Sequence, residues 1–303
     1  MSQPCHLHHA FGLILRSAVP LPMLSLAAPD AVPDIDIRIA PAPPVPPQAV
    51  TVKQHARVHA NQVWLHIDGV GHYWIGHGRE IRIEACVGAR TLDWYFYLLG
   101  SAMMCALAQR GLLPLHGCAV EIDGSAVLLL GRSGVGKSTL AVWLDQQGYR
   151  VLSDDLCALR LTPDGAIRVL PAYAQAKLAP PPPELHWAMT GSGGVRSLRD
   201  KQYVPLQGAA DIRDCPLAAV YGLTIDRTPG IQSLLPLPAL QWLMHHTQRK
   251  ALYQALVGAA THRRQCAAVA RRVPVFSFAR TPDIADFQHN VLRLQDHIHR
   301  LRA

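Results

Sequence analysis

The stretch Gly131-Arg132-Ser133-Gly134-Val135-Gly136-Lys137-Ser138-Thr139 constrains this chain more than any other. It follows the apolar run Ala126-Val127-Leu128-Leu129-Leu130 and precedes Leu140-Ala141-Val142-Trp143-Leu144. That order predicts strand, glycine-rich loop and helix, the setting in which a phosphate-binding P-loop works. Glycines let successive backbone N–H groups curl around phosphate oxygens without a Cβ clash. A helix opening at Lys137 adds the positive end of its dipole to the same place. Lys137 is expected to reach the outer phosphates, and the Ser138 hydroxyl to ligate Mg²⁺. Gly131, Gly136, Lys137 and Ser138 fit all fixed positions of the motif, which makes residues 131–139 the candidate nucleotide site. The alternative is a plain glycine-rich β–α turn.

The flanking patterns predict an α/β fold with a small β-rich domain over residues 1–90 and a P-loop domain over 91–303. In the first part, Phe11–Leu15 and Ile35–Ile39 read as strands, and the proline run 41–47 as a loop or spacer. Val63–Ile67 and His72–Ile75 read as a hairpin around Asp68-Gly69, with a further alternating strand over Glu80–Glu84. The expected module is small and antiparallel, with Trp64, Tyr73 and Trp74 as core or interface aromatics rather than a base-stacking platform. Further on, Leu92 to Arg110 reads as a helix closed by Gly111. Strands are expected at 117–122 and 125–130 around Asp123-Gly124, and at 150–153. A hairpin over 158–161 and 167–170 and a strand over 218–225 complete the sheet. Helices are expected over 237–259 and 283–300, the latter with Thr281 as N-cap and Pro282 at the first helical position. Residues 179–194, rich in proline and glycine, are expected to form a long loop, with 180–194 as a lid.

Composition bounds the partners. Half of the 303 residues are hydrophobic, and the net charge of +8 favours anionic partners. No helix-turn-helix, zinc or aromatic-interleaved basic pattern accompanies that charge, so nucleic acid is not expected as a partner. The basic pairs Arg249-Lys250, Arg263-Arg264 and Arg271-Arg272 read as a solvated helical face, with docking of an acidic peptide as the alternative. Seven cysteines without a Cys-x-x-Cys pair suggest free thiols and a cytoplasmic setting. Cys5, His6, His8 and His9 read as a loose terminus rather than a metal site. No secretory signal is apparent, and charged residues interrupt the apolar stretch 92–113, so no membrane association is expected.

Two further signals flank the loop. Asp154 and Asp155 close a strand shortly after the loop's helix, where a carboxylate can hold the metal and a second can take a proton from a hydroxyl. His116, in Leu115-His116-Gly117, precedes the strand pair that leads into the loop. Its imidazole could hydrogen-bond Asp154 and tune its basicity, or touch a phosphate.

Leu115-His116-Gly117, the hairpin, residues 131–139 and Leu152-Ser153-Asp154-Asp155 together resemble the HPr kinase/phosphorylase family. More closely, they look like the HPr-kinase-related enzymes found beside peptide-modification systems, including lasso-peptide kinases. The resemblance implies a fold similar to the nucleotide domain of phosphoenolpyruvate carboxykinase, ATP and Mg²⁺ as cofactors, and a serine hydroxyl as acceptor. It implies that Asp154 is the base, that His116 is its partner, and that Asp155 and Ser138 bind Mg²⁺. It adds Lys177 and Lys201 as phosphate or substrate contacts, and an oligomeric assembly. The chain lacks the glycine- and glutamate-rich segment that follows the acidic pair in true HPr enzymes. The resemblance therefore leaves phosphorylase activity and HPr as substrate open.

The leading expectation is an ATP-dependent kinase acting on a serine of a peptide or small protein, with a lasso precursor's C-terminal serine foremost. The alternatives are a nucleotide-sensing ATPase switch without a stable phosphoprotein, and a kinase of an HPr-like carrier protein.

Overall fold

The computed structural model describes residues 5–173, 175–178, 202–207 and 212–301. Lys201 and the lid expected within 179–194 lie outside them. The described chain is a mixed α/β fold built on two large sheets and a small two-stranded one.

The first large sheet collects nine strands between His6 and Ala85, with Ser25–Leu26 at one edge and Val50–Val52 at the other. It is mixed, not antiparallel as expected. Leu13–Ser17 runs parallel to Ile35–Ile39, which in turn runs parallel to Glu80–Ala85. The terminus is not loose either. His6–Ala10 is a strand paired with Leu13–Ser17, and His8 is buried. Phe11 and Gly12 form the turn between them with φ of 55° and 64°, the left-handed pair that suits a two-residue hairpin. Phe11 is therefore a turn residue rather than a strand residue. Trp64, Tyr73 and Trp74 are buried, as expected of core aromatics.

Residues 91–109 form helical turns throughout. Thr91–Tyr97 and Met103–Gln109 are α-helical, joined by a π-helical stretch at Leu98–Ala102. Residues from Leu98 to Ala108 are buried on every side. A helix apolar all round needs cover on all faces. Here the cover comes from the Gly71–Gly76 strand, the Leu113–Leu115 strand and the helix Lys250–Val257. One apolar core accordingly runs through both large sheets.

In the second large sheet, Ser125–Gly131 lies between Gly117–Ile122, antiparallel, and Cys215–Ile225, parallel. Arg150–Asp154 pairs on the far side of Gly117–Ile122. Val275–Arg280, a strand that the sequence reading did not assign, pairs parallel with Cys215–Ile225.

Two helix expectations need correction. The expected helix 237–259 is two helices, Pro236–His245 and Lys250–Val257, and a third, Ala259–Arg272, follows. The break is held by main-chain bonds to the segment before the glycine-rich loop's hairpin. His116 N–H donates to His246 O at 2.7 Å, and Gln248 N–H to Pro114 O at 3.0 Å. The C-terminal helix spans Phe287–Arg300, not 283–300. Asp283 instead accepts the Ala285 N–H at 2.9 Å, and this local turn competes with helix at that point. Thr281 caps nothing. Its hydroxyl accepts from the Asn290 side chain at 3.2 Å.

Candidate functional site

Strand register brings the site together. Gly117–Ile122 runs antiparallel between two strands of common direction, with Gly117 opposite Leu130 and Cys118 opposite Asp154. The start of the middle strand and the ends of its neighbours therefore share one sheet edge. His116, Gly131 and Asp154 are set side by side there, although 38 residues separate the first from the last. The parallel strands end at the same edge, with Leu223 opposite Gly131 and Phe278 opposite Leu223. The carboxyl ends of parallel strands are where open α/β sheets hold ligands.

The glycine-rich loop follows at that edge. A Cβ on Gly131 would sit 2.8 Å from both Leu223 O and Val135 Cγ1, so only glycine lets the chain pass there. Gly136 has φ of 99° and turns the chain into the helix Lys137–Gln146. No side chain caps that helix, so its first N–H groups face the loop's concavity. Lys137 is buried, and its ammonium donates to Gly131 O at 2.8 Å and Arg132 O at 3.0 Å. Arg280 Nε–H donates to Val135 O at 2.9 Å and pins the loop's crest from the neighbouring strand.

The two aspartates diverge. Asp154 is buried beneath the loop. Its Oδ1 accepts from the Ser138 hydroxyl at 2.8 Å, and its Oδ2 from the Lys177 N–H at 2.8 Å. Burial pushes the Asp154 carboxyl above the usual carboxylate range, and the neighbouring Asp155 adds to that, against the two hydrogen bonds that favour the charge. Asp155 has φ of 75°, unusual for a non-glycine residue, and this turns its side chain away from its neighbour's environment. It lines a cavity of about 340 Å³ that also meets the loop, His116 and Lys177. His116 Nδ1 lies 3.3 Å from Asp155 Oδ1 and 3.1 Å from Asp155 O. The expected His116–Asp154 hydrogen bond is thus replaced by contact with Asp155.

Lys177 completes the group. Its strand, Gln175–Leu178, pairs with Gln202–Pro205 in the small sheet. The ammonium is 3.2 Å from Asp155 Oδ2 and 4.6 Å from the centre of the Phe96 ring. The Tyr173 and Tyr203 rings stand 5.8 and 5.9 Å away. Burial works against this charge, but Tyr173, Asp155 and Tyr203 outweigh it, so the Lys177 pKa lies above its ordinary value. The two phenol groups and one carboxylate therefore keep a buried cation charged at the cavity wall, over the face of Phe96.

Ser138 and the aspartates offer hard oxygen donors, the set Mg²⁺ prefers. Among the described residues no cluster of three or more His, Cys, Asp or Glu could cage a metal. The sequence reading missed Arg280, Phe96 and Tyr173. Each acts through proximity created by the fold, and none carries a local motif.

Residues 107–168 match the family model described as HPr Serine kinase C-terminal domain. That span holds His116, the glycine-rich loop and both aspartates, but not Lys177 or Arg280. Among curated relatives, the HPr kinase/phosphorylase of Lactobacillus acidophilus is 47% identical over 58 residues, 19% of this chain and 17% of the relative. That of Leptospira biflexa is 39% identical over 66 residues, 22% of this chain and 20% of the relative. The matched segments thus span a fifth or less of these relatives' length. The solved Hpr(Ser) kinase/phosphatase from Coxiella burnetii aligns over 62% of this chain and 92% of its own, at 14% identity and a TM-score of 0.36.

Proposed function

From a chain that is HPr kinase-like across residues 107–168, we infer an ATP- and Mg²⁺-dependent kinase that moves the γ-phosphoryl group to a serine hydroxyl of a peptide or small protein. The observation that carries this reading is the separate surroundings of the adjacent aspartates. Asp154 is bonded to Ser138 beneath the loop, while Asp155 meets His116 and Lys177 at the cavity. Hydrolysis and transfer both need a carboxylate near the metal. A second carboxylate, oriented by a histidine and facing the open cavity, suits removal of a proton from an incoming hydroxyl.

The proposed roles follow the contacts rather than the initial expectation. Residues 131–139 form a P-loop whose N–H groups and Lys137 hold the triphosphate. Ser138 and Asp154 are the residues that would hold Mg²⁺, which would neutralise phosphate charge when bound. Asp155 accepts the serine proton, and His116 keeps its carboxylate oriented toward the acceptor. Lys177 offers positive charge to the phosphoryl group in transit. In-line attack requires the acceptor oxygen about 3 Å from phosphorus with bulk water excluded.

For the acceptor, the C-terminal serine of a ribosomally made peptide such as a lasso precursor is the leading choice. An HPr-like carrier protein is the second, because the matched relatives are named for HPr. The test combines the protein, ATP and Mg²⁺ with the small peptide encoded beside its gene, and separately with an HPr protein. A mass gain of one phosphate on serine supports the kinase. ATP hydrolysis without transfer to any serine-bearing candidate would favour the ATPase switch instead.

A further inference from the structure

A second cavity of about 340 Å³ lies between the helix Lys250–Val257 and the strand pair Val50–Val52 and Ala56–His59. Leu65 and Leu252, both buried, belong to its apolar lining. Lys53 and His55 line it from the turn of the strand pair, and Arg249 and Lys250 from the start of the helix. All four are exposed, and among the described residues no carboxylate lines the cavity. Lys53 and Arg249 have φ of 55° and 47°, the left-handed region that such residues seldom enter. The helix opens on Arg249 and Lys250 with no side-chain cap and no acid in its first turn, so basic charge adds to the positive end of its dipole. Like charges gathered at a recess focus a positive field that an anion from outside would neutralise. Ser101, the one polar side chain of the π-helical stretch, is 4% exposed and adds a hydroxyl to the lining.

Val50–Val52 is an edge strand. Among the described strands it pairs with Ala56–His59 alone, and Val50 is 64% exposed. Such an edge can take up an extended chain from outside. A small inorganic anion would use the cations but neither the apolar lining nor the strand edge. The cleft is also close to His116. Residues 246–250 carry the His246 carbonyl that holds the His116 N–H at one end and the cavity-lining Lys250 at the other. Four residues span at most about 14 Å. Resting on the kinase reading, we propose that this cleft docks an extended acidic segment of the acceptor peptide or protein, apart from the serine that takes the phosphate. Acidic side chains of that segment face Lys53, Arg249 and Lys250, and alternate apolar side chains pack over Leu65 and Leu252. The cleft lies outside residues 107–168, so the choice of acceptor is made on a part of the chain that the HPr kinase family model does not cover.

The experiment follows the fluorescence anisotropy of a short labelled peptide in which glutamate and valine alternate, beside the same peptide with glutamine for glutamate. No nucleotide is present. The wild-type protein is expected to bind the glutamate peptide about 10-fold more tightly, the combined effect of several exposed ion pairs. High salt should erase that preference. Lys53→Glu combined with Lys250→Glu should erase it too, with the melting temperature and tripolyphosphate affinity unchanged. Tripolyphosphate should not displace the peptide, which separates the cleft from residues 131–139. Equal affinity for the two peptides overturns the proposal, and so does an undiminished preference in the double variant. Displacement by tripolyphosphate also overturns it, because the peptide would then occupy the glycine-rich loop or a site for small anions. The peptide comparison and the displacement use the wild-type chain, so they stand even if the variant folds poorly. Failure in these binding measurements leaves the kinase reading intact. Peptide binding without transfer to any serine-bearing acceptor would instead sink the kinase reading, and with it the claim that the docked chain is the acceptor.

Discussion

His116 Nδ1 lies 3.3 Å from Asp155 Oδ1, while the adjacent Asp154 is turned to Ser138 and the Lys177 main chain. Two carboxylates that are neighbours in sequence therefore have separate surroundings, one buried under the loop and one at the cavity. The positive φ of Asp155 is what separates them. Opposed environments are a general sign of opposed roles.

The first expectation concerns that separation. Asp155→Asn should slow phosphoryl transfer by about 100- to 10,000-fold, the range associated with losing a general base. Nucleotide affinity should change little. Asp154→Asn should instead raise the Mg²⁺ concentration needed for nucleotide binding. Single-turnover rates and Mg²⁺ titrations of both variants distinguish the two patterns, and the reverse result would exchange the roles.

Asp154 also makes a stability prediction. A carboxyl whose folded pKa lies above its unfolded value favours the fold while protonated, and that contribution is lost as pH rises through the folded pKa. Without ligand, Asp154→Asn should therefore melt at or above the wild-type temperature at pH 8. Asparagine can still accept the Lys177 N–H and meet Ser138 without burying a charge. A clear drop in melting temperature would show that the charged carboxylate stabilises this fold.

Lys177 should matter more to rate than to nucleotide affinity. Lys177→Met keeps much of the side chain's length and removes the charge beside Asp155 and Phe96. A fall in kcat of about 100- to 1000-fold is expected, the scale of losing one preorganised electrostatic contact. Phe96→Leu should cost less, since it loosens the cation's seat without removing it. Steady-state kinetics that showed only a raised KM for ATP would contradict this assignment.

Gly131→Ala should impair the protein without removing any polar group. The added methyl would meet Leu223 O at 2.8 Å, and a main-chain carbonyl in a paired strand cannot yield as a side-chain tip can. Overpacking of this kind costs about 1–3 kcal/mol. Thermal melting should register it, and tripolyphosphate binding should weaken as the loop shifts.

Legibility in the sequence followed the range of the interaction involved. The loop, its strand and its helix all lie between Ser125 and Gln146, so periodicity and glycine spacing suffice. The Gly117–Ile122 hairpin was similarly clear from Asp123-Gly124. The parallel pairs around Ile35–Ile39 were not, because parallel partners are distant in sequence and leave no turn signature. His116 was identified by motif, but its partner was set by the backbone angle of Asp155, which composition does not reveal. The cage around Lys177 draws Phe96 from the central helix and Tyr203 from a strand beyond it, a convergence that only tertiary packing creates. Even the helix break at 246–249 became explicable only once its carbonyl was found holding the His116 N–H.

The last prediction concerns acid stability and the helices behind that break. His262 is fully buried; its Nε2 lies 2.8 Å from the Thr247 hydroxyl and its Nδ1 3.0 Å from Gln254 Nε2. Gln254 donates, so Nδ1 must accept, and the ring is held as the neutral Nε2–H tautomer. The Thr247 hydroxyl can accept from that N–H while donating to Leu243 O at 3.1 Å. A second proton would place two donors face to face. Burial, with the Lys250 charge nearby, lowers the His262 pKa to about 4. A histidine whose folded pKa is depressed stabilises the fold fully above its unfolded value near 6.5 and loses that contribution as pH falls toward the folded one. Between about pH 6.5 and 4 the loss is on the order of 3 kcal/mol for a shift of this size. His262→Gln, which keeps a donor and an acceptor but does not titrate in this range, should flatten the pH dependence of chemical denaturation across that window. It should cost stability at pH 8, where the wild-type ring is already neutral. If the variant and the wild type lose stability in parallel from pH 6.5 to 4, the acid sensitivity resides in other groups, with His246, whose pKa is also lowered to about 4, the next to replace.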